Sequence, residues 1–172
     1  MTITAQATPA PTPGRYVRLA LIVISAIDAA GALTHIPAIF YDYGHQTALL
    51  KFAQALTSVE IVLAIPLTLA ALYFAASGQL TRAIVALAIR MLVSWAADLP
   101  SIAIHGWELS ADYAGAHIAA QRFAAPIVAL AAIFLAWRNE RLWLATILVA
   151  LPTVFYWIGV LIFTVAIMIY GF

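Results

Sequence analysis

The sequence predicts an all-α integral membrane protein with five transmembrane helices, of which the first four form a bundle around an intramembrane polar pocket. Of its 172 residues 66% are hydrophobic and only 9% are charged, and the mean hydropathy is +1.03. A water-soluble domain of this size would expose far more apolar surface than water tolerates. Five ionisable residues nevertheless lie inside the apolar stretches: Asp28, Glu60, Arg90, Asp98 and Arg122. Such groups need a partner or a cavity in a bilayer, so they indicate a functional site.

Residues 1–14 are rich in Ala, Thr and Pro without an apolar period, and we expect a disordered tail there. Residues 15–172 then form one transmembrane helical domain. A crossing needs about 20 apolar residues, which predicts helices at about 16–40, 49–77, 80–104, 114–137 and 141–170. The short links SGQ and RNE join antiparallel neighbours.

Basic residues are unevenly distributed between the helix ends. One side collects five arginines and the other only Lys51 near a boundary. The positive-inside rule therefore predicts a cytoplasmic N-terminus and a C-terminus on the outer side. Seven of the eight basic residues are arginine and alanine is abundant, which favours a bacterial protein and hence a bacterial inner membrane. The five arginines are Arg15, Arg18, Arg82, Arg138 and Arg141.

Polar residues follow one face on three of the predicted helices. At about 100° per residue, the third helix carries a stripe within an arc of roughly 80°, and shorter stripes occur on the first and fourth helices. We expect these faces to point inward. The stripes comprise Arg90, Ser94, Asp98, Ser101 and His105, then Ser25, Asp28, Ala32 and His35, and finally His117 and Gln121.

The helical rise places Asp28, Glu60 and Arg90 at a common midplane, with Asp98 and Arg122 nearer the outer side, where they could pair. Three acids face two arginines, so one carboxyl should be protonated. Desolvation and mutual repulsion favour a proton shared by Asp28 and Glu60 near Arg90. This is general-acid chemistry, although the same charges could instead form buried ion pairs that only fix helix register.

Several local patterns resemble the sigma-2 receptor branch of the EXPERA proteins, over roughly residues 20–137. They are THIP at 34–37 followed by Asp42, Glu60 before Pro66, Asp98 beside Pro100, and the early Pro126 of the fourth helix. The resemblance implies a four-helix unit whose pocket opens to lipid and takes sterols or amphipathic amines. It also implies acid–base isomerisation of a ring double bond, with Glu60 matching the family's second-helix glutamate. One turn after His35, where the isomerase branch has a glutamate, this chain has Ile39.

The sequence therefore predicts binding, and possible acid–base isomerisation, of a sterol-like or isoprenoid-like lipophile. We expect Glu60 and Asp28 as catalytic residues, no metal and no cofactor. The partners expected are the lipophile, membrane lipid, and a second copy or a membrane-complex partner, but no nucleic acid. Three alternatives stay open: a noncatalytic subunit or assembly factor, a b-type haem protein using two of His35, His105 and His117, and a proton-coupled transporter. The expected ligand-binding residues are His35, Asp42, Arg90, Ser94, Trp95, Asp98, His117, Gln121 and Arg122.

Overall fold

A computed structural model describes residues 13–40, 47–105 and 120–171, and these residues are all-helical, as predicted. The disordered tail predicted for residues 1–14 lies outside them except for its last two residues, which begin the first helix. The helices are α1 (Pro13–Thr34), α2 (Ala48–Ala76), α3 (Leu80–His105), α4 (Ala125–Trp137) and α5 (Leu142–Tyr170). A 3-10 turn (Ile36–Phe40) follows α1, and a π-helical turn (Ala120–Ala124) leads into α4.

The first helix ends six residues earlier than predicted, and Pro37 gives the reason. Proline has no backbone N–H, and it disfavours the α conformation in the residue before it. The chain leaves α1 at Thr34, whose hydroxyl donates to the Gly31 carbonyl over 2.7 Å. The other described helix boundaries agree with the predicted ones within three residues, the largest difference being the start of α1 at Pro13, while the predicted start of the fourth helix at 114 lies outside the described residues.

Four of the described helices are long and apolar enough to cross a membrane, which indicates an integral membrane protein. The fourth segment is also apolar but spans only Gln121–Trp137 within the described residues. At about 1.5 Å per residue this is roughly 25 Å, shorter than a hydrocarbon core of about 30 Å. The four long spans are Gly14–Phe40, Leu50–Ala76, Leu80–Pro100 and Leu142–Tyr170.

The five helices pack in a ring, and α5 closes it. Helix α2 packs on α1 and α3, α3 packs on α4, α4 packs on α5, and α5 returns to contact α1 and α3. The last helix therefore belongs to the bundle, whereas the sequence predicts that the first four helices form it.

One end of the bundle carries the basic residues, and we call it the basic end: the start of α1, the turn at 77–79 and the turn at 138–141. Arg18 donates to the Ala76 carbonyl, and the hydroxyl of Thr81 lies 3.5 Å from the side-chain oxygen of Asn139, so the three segments lie together. The helices near this end meet through fully buried alanines, which permit close approach of their backbones. These are Ala71, Ala75, Ala83, Ala88, Ala132, Ala136 and Ala145.

Candidate functional site

Three helices meet at a buried polar cluster formed by Asp28 of α1, Arg90 of α3 and Thr153 of α5. The Thr153 hydroxyl donates to Asp28 Oδ1 over 2.8 Å, and Arg90 Nη1 lies 3.6 Å from Asp28 Oδ2. The Asp28 side chain is 9% exposed and that of Arg90 is 25% exposed. Arg90 and Thr153 each lie about 15 Å along their helices from the basic end. The cluster thus joins α1, α3 and α5 at one level inside their apolar spans.

The local sequence explains why α1 presents Asp28 inward. Ser25 and Ala32 are buried with Asp28 on the same face of the helix. Positions separated by three, four and seven residues share one face of an α-helix, so burial of the small side chains on this face carries the carboxylate with them. Three members of the inward stripe predicted for α1 are therefore buried together, while the fourth, His35, lies beyond the end of the helix and is exposed.

A cavity of about 660 Å³ begins at the cluster and extends away from the basic end. Its walls come from the last turns of α1, the middle of α3, the start of α4 and the middle of α5. Among the described residues, no side chain of α2 lines it. The lining residues are Ile27, Asp28, Ala30, Gly31, Thr34, His35, Arg90, Met91, Ser94, Trp95, Gln121, Ala124, Ala125, Val128, Leu151, Pro152, Thr153, Phe155, Tyr156 and Trp157.

The cluster carries the charged pair of the lining, Asp28 and Arg90, and most of the remaining wall is apolar or aromatic, with Thr34, His35, Ser94 and Gln121 as further polar residues. The aromatic side chains come from both sides, Trp95 on α3 and three consecutive aromatic residues, 155–157, on α5. Several lining residues, including Ala30, Thr34 and Tyr156, are exposed on the outside of the bundle. The cavity therefore reaches the surface between helices as well as the buried ion pair.

The Arg90 guanidinium has more donors than partners. Among the described residues, its buried Nε has no hydrogen-bond partner, and the 3.6 Å contact with Asp28 exceeds a normal N–H···O distance of about 2.7–3.2 Å. The nearby hydroxyl of Ser25 is likewise fully buried and without a partner within the described residues. Buried polar groups are usually satisfied, so this corner of the site has hydrogen-bonding capacity to spare.

Trp95 lines the cavity, and its indole donates a hydrogen bond to a backbone carbonyl that Pro126 leaves without its usual helical donor. In a regular α-helix the Arg122 carbonyl would accept from the N–H of residue 126, but that residue is Pro126, which has none. The indole Nε1 of Trp95 donates to this carbonyl over 2.9 Å. The π-helical turn of residues 120–124 lies at the same place, so α3 stabilises the irregular start of α4.

The two charges expected to pair on the outer side, Asp98 and Arg122, lie on α3 and on the π-helical turn before α4. Arg122 is buried, with 7% of its surface exposed, and the charges of Asp98 and Arg122 are close enough to interact. Neither side chain lines the cavity. In the described structure the pair therefore lies beside the cavity, in the walls formed by α3 and the start of α4.

Six of the predicted site residues line the cavity: Asp28, His35, Arg90, Ser94, Trp95 and Gln121. Glu60 does not line it, and within the described part of the chain its carboxylate forms no ion pair. The pairing of Asp28 with Glu60 expected from their depths is replaced by contacts of Asp28 with Arg90 and Thr153. The predicted residues Asp42 and His117 lie outside the described residues.

No family model, curated protein or solved structure matches this chain. The site is therefore interpreted from its own geometry. Among the described residues, no group of three or more His, Cys, Asp or Glu side chains could hold a metal ion. The histidines considered as haem ligands cannot be compared in depth, since His117 and the side chain of His105 lie outside the described part.

The contribution of α5 to the site was not predicted from the sequence. Thr153 is the third partner of the polar cluster, and Phe155, Tyr156 and Trp157 form one wall of the cavity. The only available signal was the pair Pro152–Thr153, an interruption and a hydroxyl in the middle of an otherwise apolar helix.

Proposed function

We propose that this protein binds a small lipophilic molecule, of sterol-like or isoprenoid-like character, in the cavity between α1, α3, α4 and α5. The observation that carries the proposal is the position of the Asp28–Arg90 ion pair on the wall of a cavity of about 660 Å³ within apolar helices. Ligand cavities in proteins commonly measure about 300–1,000 Å³, with apolar walls and a few placed polar groups.

The composition of the walls supports this ligand class. Aromatic and aliphatic side chains offer a large apolar contact area, while the polar corner at Arg90 and Asp28 can orient one end of the molecule. The exposed lining residues of α1 and α5 support an entrance between helices, where lipid would surround the protein. A lipophile could then enter sideways without crossing water.

The proposal is restricted to binding and does not include isomerisation. A general acid must lie within hydrogen-bond reach of its substrate, directly or through one water. Glu60, the acid that the EXPERA resemblance implies, is not among the described lining residues, and the Asp28 carboxylate already accepts from Thr153. We accordingly assign Asp28 a structural and orienting role in the site.

We further propose that the protein lies in a bacterial inner membrane with the basic end in the cytoplasm. The segments that carry Arg18, Arg82 and Arg138 lie together at this end of the structure, and arginine-rich ends of membrane helices favour the cytoplasmic side. The cavity then lies in the outer half of the membrane. Cysteine labelling of the two chain ends in intact cells would test this orientation.

Native mass spectrometry of the protein released from lipid nanodiscs tests the binding proposal. The decisive variant is Gly31→Leu, because Gly31 lines the cavity and an added Cβ meets no atom within 4 Å. The leucine side chain should occupy part of the cavity without a clash in the helix, so retention of a lipophile held by the wild type should fall. Ala26→Leu adds a similar side chain to the exposed side of α1 and should retain it.

Glu60→Gln belongs in the same experiment, and we expect it to retain the lipophile because Glu60 does not line the cavity. Retention of only bulk lipid by the wild type, with no difference in Gly31→Leu, would contradict the proposal. It would favour the alternative of a subunit that docks to a partner through its charges.

A further inference from the structure

We infer that the polar end of the ligand is an uncharged carbonyl oxygen, seated against the Arg90 guanidinium. This inference rests on the proposed ligand cavity and specifies the chemistry that the cavity recognises. It depends on three comparisons of Arg90 with Asp28: their unused hydrogen-bonding groups, their exposure and their net charge.

In the cluster, Arg90 is the residue with unused hydrogen-bond donors. A guanidinium carries five N–H donors and no acceptor, and no hydrogen bond from Arg90 is formed within the described residues. The Asp28 carboxylate, by contrast, accepts from Thr153 over 2.8 Å at one oxygen and faces Arg90 with the other. An acceptor on the ligand would satisfy the group that lacks partners, while a donor would compete for one already engaged.

Accessibility points the same way. Arg90 lines the cavity with 25% of its side chain exposed, whereas Asp28 is 9% exposed. A ligand that enters along the aromatic wall therefore meets guanidinium N–H groups before it meets carboxylate oxygens. Ser94 lies one turn further along α3 on the same wall and offers a hydroxyl donor to the same acceptor.

The charge balance separates a carbonyl from a carboxylate. Asp28 and Arg90 together carry no net charge, so an anionic ligand would bring an uncompensated charge into an apolar site next to Asp28. Burial of an unpaired charge is much more costly than burial of a hydrogen-bonded neutral group. A ketone, quinone or ester oxygen satisfies Arg90 without this cost.

The test uses three probes with the same saturated chain, ending in a methyl ketone, a carboxylic acid or a primary amine. Each is added to the protein in nanodiscs, and bound copies are counted by native mass spectrometry. We expect the wild type to retain the ketone at least tenfold better than the amine and better than the acid. Arg90→Lys keeps a cation opposite Asp28 but removes the planar set of donors, and should lower ketone retention about tenfold.

Asp28→Asn distinguishes recognition through Arg90 from recognition through the carboxylate. The asparagine side chain can still accept from Thr153, but the site gains a net positive charge. The ratio of acid retention to ketone retention should therefore rise at least tenfold over its wild-type value. This comparison uses only the wild type and Asp28→Asn, so the inference can be tested even if Arg90→Lys does not fold.

The possible failures are distinguishable. Preference of the wild type for the amine, lost in Asp28→Asn, would overturn the inference and leave the cavity as a cation-binding lipophile site. Preference for the acid would overturn the assignment of an uncharged group. If no probe is retained and Gly31→Leu matches the wild type, the proposed function itself fails, and the inference fails with it.

Discussion

Replacement of Thr153 by valine should destabilise the fold by about 1.5 kcal/mol. The change keeps the shape of the side chain but removes the hydroxyl that donates to Asp28 Oδ1 over 2.8 Å. Hydrogen bonds to charged groups contribute about 1.5–3 kcal/mol, whereas side-chain hydrogen bonds measured in membrane proteins reach at most about 1.7 kcal/mol. The two ranges overlap near about 1.5 kcal/mol. We expect this value because Asp28 and Thr153 are both buried, so water cannot replace the lost hydrogen bond.

The same helix offers a matched control in Thr146. It is also buried, 4% exposed against 8% for Thr153, but its hydroxyl donates to the Leu142 carbonyl of its own turn. That carbonyl can accept a backbone N–H without the hydroxyl, so Thr146→Val should cost less than about 0.5 kcal/mol. Thr153→Ser keeps the donor and should recover most of the loss.

Unfolding in mixed micelles with increasing SDS, followed by tryptophan fluorescence, measures these differences. A double-mutant cycle with Asp28→Asn isolates the pair, and the cost of Thr153→Val should fall in that background because the acceptor is no longer charged. Equal effects of Thr153→Val and Thr146→Val would refute the reasoning, since they would show that α5 is held by general packing and not by its bond to Asp28.

Two further predictions concern the walls of the bundle. Trp95→Phe should lower the free energy of unfolding by about 1 kcal/mol, because it leaves the Arg122 carbonyl without the indole donor. Adding Pro126→Ala supplies a backbone N–H and should reduce this loss. An unchanged loss in the double variant would contradict the explanation. Ala88→Leu should lower the free energy of unfolding by about 1–3 kcal/mol or more, since Ala88 is fully buried. Ala96→Leu, on the exposed side of α3, should be nearly neutral. Equal SDS midpoints for the two variants would contradict close packing at Ala88.

The inward faces of α1 and α3 could be predicted because their polar residues repeat at helical spacing. Asp28 and Arg90 each belong to such a stripe, and a stripe fixes a direction around the helix axis as well as a depth. Glu60 belongs to no comparable stripe. Its depth matches that of Asp28, but depth alone does not determine which neighbour a side chain faces. The direction of Glu60 around the axis of α2 could not be predicted, and this is why the expected Asp28–Glu60 contact is wrong.

The role of α5 was hidden for a different reason. In water, an exposed face must be polar, and the contrast between faces reveals which one is buried. In lipid, an outward face is as apolar as the helix interface, so a helix such as α5 shows no contrast. Its ring-closing contacts with α1 and α3 depend on the shape of small side chains, which composition does not report.

The position of the cavity follows from where small and bulky residues occur along the helices. Towards the basic end, fully buried alanines such as Ala83 and Ala136 hold neighbouring helices close together. Beyond the polar cluster, Pro152 and the π-helical turn before α4 interrupt regular packing, and Trp95 and the aromatic residues of α5 line the cavity. Close packing at one end and interrupted packing at the other leave the space that these side chains line. The Asp28–Arg90–Thr153 cluster lies at the transition, where it ties three helices together and supplies the cavity with its polar corner.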